Sequence, residues 1–162
     1  MKNTAYKFFV LLIMMFVLGG IFTYKTFFQK DSHIPPEVKK YVKENLPGYK
    51  FVTKHDLSPE IIKWTKDTAK VWLNRDFTGE GENDFIIILK DEKEMPFLSA
   101  FNNYATNTKF FKIKYVSTNG NVIGDFLYDL KEDHCFYDVK FESSTAKICW
   151  NGEQFEIEYV GD

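Results

Sequence analysis

The chain has 162 residues, with 21 Lys and Arg against 23 Asp and Glu. Its 18 % aromatic content, including 17 Phe, excludes a disordered chain. The slightly acidic balance argues against a nucleic-acid partner and against docking on anionic lipid headgroups.

The first element is apolar. Residues 1–7, MKNTAYK, form a basic n-region, and Phe8 to Tyr24 carry no charge over 17 residues. As a helix that stretch rises about 25 Å, a minimal membrane span. It is apolar on every side, so it has no face to show water. The residues after Gly19-Gly20 are mostly large, and no A-x-A-like cleavage site is visible. The expectation is a signal-anchor over 8–24 with a cytoplasmic N-terminus, a cleaved signal being the alternative. Either places the rest of the chain in the periplasm or another extracytoplasmic space. Both basic residues of the n-region precede the stretch and all acids follow it, so the outer part has a formal charge of −4. A basic partner would be attracted to it.

Residues 25–35 read as a spacer, and 36–162 as a single α+β domain of about 130 residues, enough for one core. A helix opens at Pro36, with Glu37 in its first turn and Val38, Tyr41, Val42 and Leu46 at helical spacing, and Pro47-Gly48 ends it. Tyr49 to Lys54 suits a short strand. Ser58-Pro59-Glu60 starts a second helix, with Ser58 as N-cap, Pro59 at the first position, and Ile61, Ile62, Thr65 and Ala69 facing inward.

From Lys70 the period changes to two. Lys70–Arg75 and Phe85–Lys90 read as strands. The FIIIL run of the second should be central and buried on both faces. Phe97 to Tyr104 reads either as a helical turn, since Phe97, Leu98, Phe101 and Tyr104 share a helix face, or as a loop. Asn119-Gly120 and Asn151-Gly152 are two-residue hairpin signals. The first register pairs Ile113 with Phe126 and Phe111 with Tyr128. The second pairs Trp150 with Glu153, Ile148 with Phe155 and Ala146 with Ile157. Both gather the apolar residues on one face. Ser143-Ser144 would turn a third hairpin. The expected fold is one or two N-terminal helices followed by an antiparallel β-meander of about six to eight strands.

Two cysteines in an extracytoplasmic chain invite a disulfide. With Ser143-Ser144 as the turn, Cys135 and Cys149 point to opposite faces and cannot meet. A one-residue bulge reverses that result.

Asp76-Phe77-Thr78-Gly79-Glu80-Gly81-Glu82-Asn83-Asp84 lies between two strands. Oxygen-bearing side chains at Asp76, Thr78, Glu80, Glu82 and Asp84 alternate with turn-permitting glycines, a pattern suited to calcium. It is not an EF-hand, because position twelve would be Ile87. The segment resembles the acidic loop of FG-GAP or VCBS-type repeats, D-x-[DN]-x-D-G-x-x-D, at Asp76, Gly81 and Asp84. Thr78 and Glu80 depart from the family's Asn or Asp. With Cys149-Trp150-Asn151-Gly152-Glu153-Gln154-Phe155 near the end, it resembles small bacterial envelope proteins carrying one such loop followed by a meander. That resemblance implies fold more than activity, and calcium as the ion. An acidic, solvated hairpin loop without any cofactor is the other reading.

His33, His55 and His134 are far apart and lie in no catalytic motif. His134 and Cys135 are neighbours on a strand and so face opposite ways. Paired carboxylates remain open, because distance between acids is unreadable here. The function expected is therefore non-catalytic binding of an envelope protein, as an immunity or inhibitor protein binds a basic toxin. A calcium-binding structural domain and a small envelope hydrolase are the alternatives.

Overall fold

A computed structural model describes residues 33–129, 131 and 134–161. The chain divides into two units, Met1–Pro35 and Pro36–Asp162. The expected n-region and anchor, and nearly all of the spacer, lie outside the described residues. Among the described residues no helix is long and apolar enough to cross a membrane. The described helices and strands all belong to the second unit.

The order is helix α1 (Pro36–Asn45), strand β1 (Lys50–Phe51), a 3-10 turn (Lys54–Asp56), helix α2 (Pro59–Trp64), and then strands β2 (Trp72–Arg75), β3 (Asp84–Lys90), β4 (Pro96–Asn102), β5 (Lys109–Tyr115), β6 (Thr118–Asn119), β7 (Val122–Ile123), β8 (Asp125–Tyr128), β9 (Cys135–Lys140), β10 (Thr145–Trp150) and β11 (Phe155–Tyr159). Both helices start where the caps place them. The Ile61 amide donates to Ser58 Oγ at 3.3 Å, with Pro59 in the first turn. α2 is shorter than expected. Thr65 caps its C-terminus and Lys66 and Asp67 leave it with positive φ, so Thr65 and Ala69 lie beyond the helix rather than on its inner face.

The strands form two principal antiparallel sheets rather than one meander. The first is five-stranded: β3, β4 and β5 lie side by side, and β1 and β2 share the free edge of β3. The second runs β11-β10-β9-β8. Adjacent residues stitch them together. The Lys70 carbonyl accepts from Leu127 of the second sheet at 2.8 Å, and the Val71 carbonyl accepts from Ile88 of the first at 3.0 Å.

The core lies between the sheets. Ile86, Ile88, Leu98 and Ala100 face Leu127, Phe136, Ala146 and Ile148 in one buried cluster. The opposite face of the first sheet is also covered. Tyr41 of α1 meets Phe101 edge-on at 5.7 Å and stacks near Phe110 at 6.2 Å. FIIIL is therefore buried on both faces, as the continuous apolar run requires.

Phe97 to Asn102 is a strand rather than a helical turn or a loop, and Asn103 and Tyr104 belong to the turn that follows it. Pro96 to Asn102 is a fully buried strand. Phe97 and Phe101 are four residues apart, a spacing that satisfies period two as well as a helix, so the aromatic spacing could not separate the two.

The hairpins differ in register. At Asn119-Gly120 the pairs are Thr118 with Ile123 and Asn119 with Val122, which makes Gly120-Asn121 the turn. Beyond this short hairpin the chains part. β5 pairs with β4 and β8 with β9, so Ile113 and Phe111 are not cross-strand partners of Phe126 and Tyr128. At Asn151-Gly152 the pairs are Trp150 with Phe155, Ile148 with Ile157 and Ala146 with Tyr159. That is two residues from the expected register, because the Asn151 side chain accepts from the Glu153 and Gln154 amides and widens the turn. A two-residue slip preserves the faces.

Candidate functional site

The sequence-based site residues are held as a loop that bonds to itself. Asp76 Oδ1 accepts from the Gly79 amide at 2.6 Å and Oδ2 from the Gly81 amide at 2.8 Å. Burial works to raise this carboxyl, but the amides of Gly81, Gly79 and Glu80, with His134 nearby, outweigh it and hold it below the usual aspartate range. Asp84 is fully buried. Its Oδ2 accepts from Phe77 and Thr78 at 2.8 and 2.9 Å, and its Oδ1 from Asn103 at 3.0 Å. Burial pushes its carboxyl up, and these amides pull it back only in part. Thr78 Oγ1 lies 3.5 Å from Asp76 Oδ1. Glu80 turns outward to the Asn103 amide group and Glu82 to the Thr106 hydroxyl.

The five side chains thus serve several separate partners. The carboxylate oxygens of Asp76 and Asp84 already accept backbone N–H bonds, and the two glutamates reach away to the β4–β5 loop. Among the described residues no group of three or more His, Cys, Asp or Glu is placed to hold a metal ion. The loop instead secures a junction. Arg75, at its start, donates to Asp129 at 3.0 Å and to the Cys135 carbonyl at 2.8 Å, and lies over the Phe77 ring.

Cys135 and Cys149 form a disulfide as direct cross-strand partners, with Cα atoms 4.1 Å apart. The register that separated them placed the β9–β10 turn at Ser143-Ser144. The turn is centred on Glu142, which takes a positive φ of 54°, and the Lys140 amide donates to the Ser144 carbonyl. One residue more in the loop changes the parity and brings both sulfurs to the same face.

Two surface features were not found by motif. The first is aromatic. Trp64, at the end of α2, is 63 % exposed. Its ring packs at 5.8 Å from Phe126 and 5.9 Å from Phe141. It borders a shallow recess of about 190 Å³ lined by Trp64, Val139, Lys140, Phe141 and Glu142.

The second is a cleft of about 290 Å³ between the edges of the two sheets. Lys114 of β5, Asp125 of β8, Asp138 and Lys140 of β9, Ser144, and Tyr159 of β11 line it, among others. Asp138 is 1 % exposed, and its Oδ1 has no hydrogen-bond partner. Lys114 Nζ forms an ion pair with Oδ2 at 2.5 Å. Burial pushes the Asp138 carboxyl up to about 6, the Asp125 charge pushes the same way, and Lys114 pulls back. Burial works to lower the Lys114 ammonium, but the Asp138 charge and contact, then Asp125 and Tyr159, outweigh it and hold it above the usual lysine range. Asp125, also buried, accepts from the Ser117 amide at 3.1 Å and from the Ser117 hydroxyl.

A signal for Asp138 did exist. In CFYDVK it alternates with Tyr137 and Val139 and shares a strand face with Phe136, so it is a charge on a core-facing position. Its proximity to Lys114 and Asp125 belongs to no local pattern.

No protein-family model matches the chain, and comparison with curated proteins and with solved structures finds no match either.

Proposed function

We propose that residues 36–162 form a non-catalytic protein-binding domain, held outside the cytoplasmic membrane by the apolar stretch at 8–24. In this reading it acts as an immunity- or inhibitor-type protein on a basic envelope partner. The observation that carries the reading is Trp64, which keeps its indole in solvent against Phe126 and Phe141 beside an apolar recess. An exposed tryptophan on an aromatic footing is the side chain most often found at the centre of binding energy in protein interfaces. The formal charge of −4 beyond the apolar stretch would steer a basic partner toward it.

The test is capture from envelope extracts by the full chain, compared with Trp64→Ala. Loss of one specific basic partner with the variant, at unchanged melting temperature, supports the reading. Equal capture by both, or no specific partner, overturns it. Truncation of a central interface tryptophan costs about 2 kcal/mol or more, a loss of at least about thirtyfold in affinity.

A further inference from the structure

We infer that the cleft between β5 and β11 is a receptor for a guanidinium group, an arginine side chain of the partner entering to meet Asp138. This rests on the binding-domain reading above and names the chemistry that one part of the interface would recognise.

The argument begins with an incomplete bond inventory. Asp138 is buried to 1 % exposure; its Oδ2 meets only the Lys114 ammonium, and its Oδ1 has no hydrogen-bond donor. Buried carboxylates ordinarily have donors, because nothing else replaces the water they lose. Asp125 has its donors from Ser117, whereas Asp138 has only the ionic approach of Lys114 from the opposite sheet. Two buried carboxylates thus share one partly exposed ammonium. Lys140, the other cation on the lining, is exposed and makes no ion pair among the described residues.

The cleft opens to solvent while the Asp138 oxygens on its lining are covered, so a guest reaches them by parting the side chains above them. Its volume, about 290 Å³, is at the lower limit of about 300 Å³ for small-molecule sites and suits a single side chain. Two exposed tyrosines stand on its lining, Tyr115 at 55 % and Tyr159 at 67 %. The Tyr159 ring already lies 5.8 Å from the Lys114 ammonium, within cation–π range. A guanidinium offers a planar fork of N–H donors to a carboxylate and a face to an aromatic ring, and an ammonium offers neither.

The site neighbours the Trp64 recess. Lys140 lines both, and the Phe141–Ser144 turn separates them, with Phe141 and Glu142 on the recess side and Ser144 on the cleft side. One partner seated on Trp64 would therefore have this cleft within a side chain's reach.

Protonation should compete with the guest. The groups facing Asp138 are Lys114 and Tyr115 from β5, Asp125 from β8, Lys140 from its own strand and Tyr159 from β11. Only Asp138 is pushed into the range near 6.

The experiment uses the full chain, isotope-labelled in detergent micelles, titrated with Nα-acetyl-arginine methylamide and, as a neutral isostere, with the citrulline analogue. Expected are amide shifts confined to Lys114, Asp125, Asp138, Ser144 and Tyr159, at least tenfold weaker binding of the citrulline compound, and about tenfold weaker arginine binding at pH 5 than at pH 7.5. Asp138→Asn should abolish the shifts. Tyr159→Ala, at an exposed position that cannot unfold the domain, should weaken binding several-fold. Equal binding of both compounds, shifts spread over other surfaces, or arginine binding unchanged in both variants overturns the inference. If the probe fails while Trp64-dependent capture persists, the cleft inference falls and the binding-domain reading stands. The converse result separates them the other way.

Discussion

Mild acidification should stabilise this domain, because Asp138 takes up a proton more readily folded than unfolded. Burial, with the Asp125 charge beside it, raises its carboxyl from 3.8 to about 6 against the pull of Lys114. A raised folded pKa means that the native state binds the extra proton, so stability increases as the pH falls through 6 toward 4. With these two values, lowering the pH from about 7.5 to about 5 contributes roughly 1.4 kcal/mol. For a domain of this size that corresponds to a rise in melting temperature of roughly 5 °C. Asp56 and Asp76 are held below the usual range and lose their contribution only at lower pH, outside this window. Asp84 shifts in the same direction as Asp138, so the difference between wild type and Asp138→Asn isolates the one group. The assay is thermal or urea unfolding of both proteins across that range. A wild-type curve that parallels the variant's, with no extra gain of about 1 kcal/mol on acidification, would refute the reasoning.

Four further outcomes rest on named contacts. Replacing both Cys135 and Cys149 by Ser opens a cross-link between residues 14 apart and should cost about 3 kcal/mol; mass after alkylation without reductant should show no label on the native chain. Asp84→Ala orphans the amides of Phe77, Thr78 and Asn103 and should cost about 3 kcal/mol or more, whereas Glu82→Ala, at a partly exposed position that meets only the Thr106 hydroxyl, should stay within about 0.5 kcal/mol, both read by urea unfolding. A calcium titration followed by melting temperature should leave it unmoved at about millimolar ion, since the oxygens of Asp76 and Asp84 are already engaged. Finally, Gly79 and Gly81 both have positive φ, but a Cβ at Gly79 would lie 2.7 Å from His134 Cε1 while one at Gly81 meets nothing. Gly81→Ala should cost about 1 kcal/mol of backbone strain, and Gly79→Ala measurably more.

Much of the fold was legible because it rests on local rules. Pro36 and Ser58-Pro59 start helices by capping chemistry, and FIIIL is too apolar to face water on either side. The registers were read less well. A strand's faces depend only on parity, so the Asn151-Gly152 hairpin kept its inward and outward sets despite a two-residue slip. The β9–β10 hairpin did not, because a turn centred on Glu142 rather than on Ser143-Ser144 changes parity, and the disulfide depends on that difference. The acidic loop is visible in the sequence as a run of alternating oxygens, a pattern that suits ion ligation and backbone capping equally well. Only the positions of the amides distinguish them.

The sequence by itself determined an apolar, uncharged N-terminal stretch, a single acidic α+β domain beyond it, and the approximate places of its helices, strands and turns. Each of these follows from composition or from neighbours within a few residues. The tertiary structure decided that the strands divide into two sheets, that Cys135 meets Cys149, and that Lys114, Asp125 and Asp138 share one cleft. Those three residues come from three strands in two different sheets. Their meeting depends on how the sheets pack, and a charge's environment is set by what surrounds it in space.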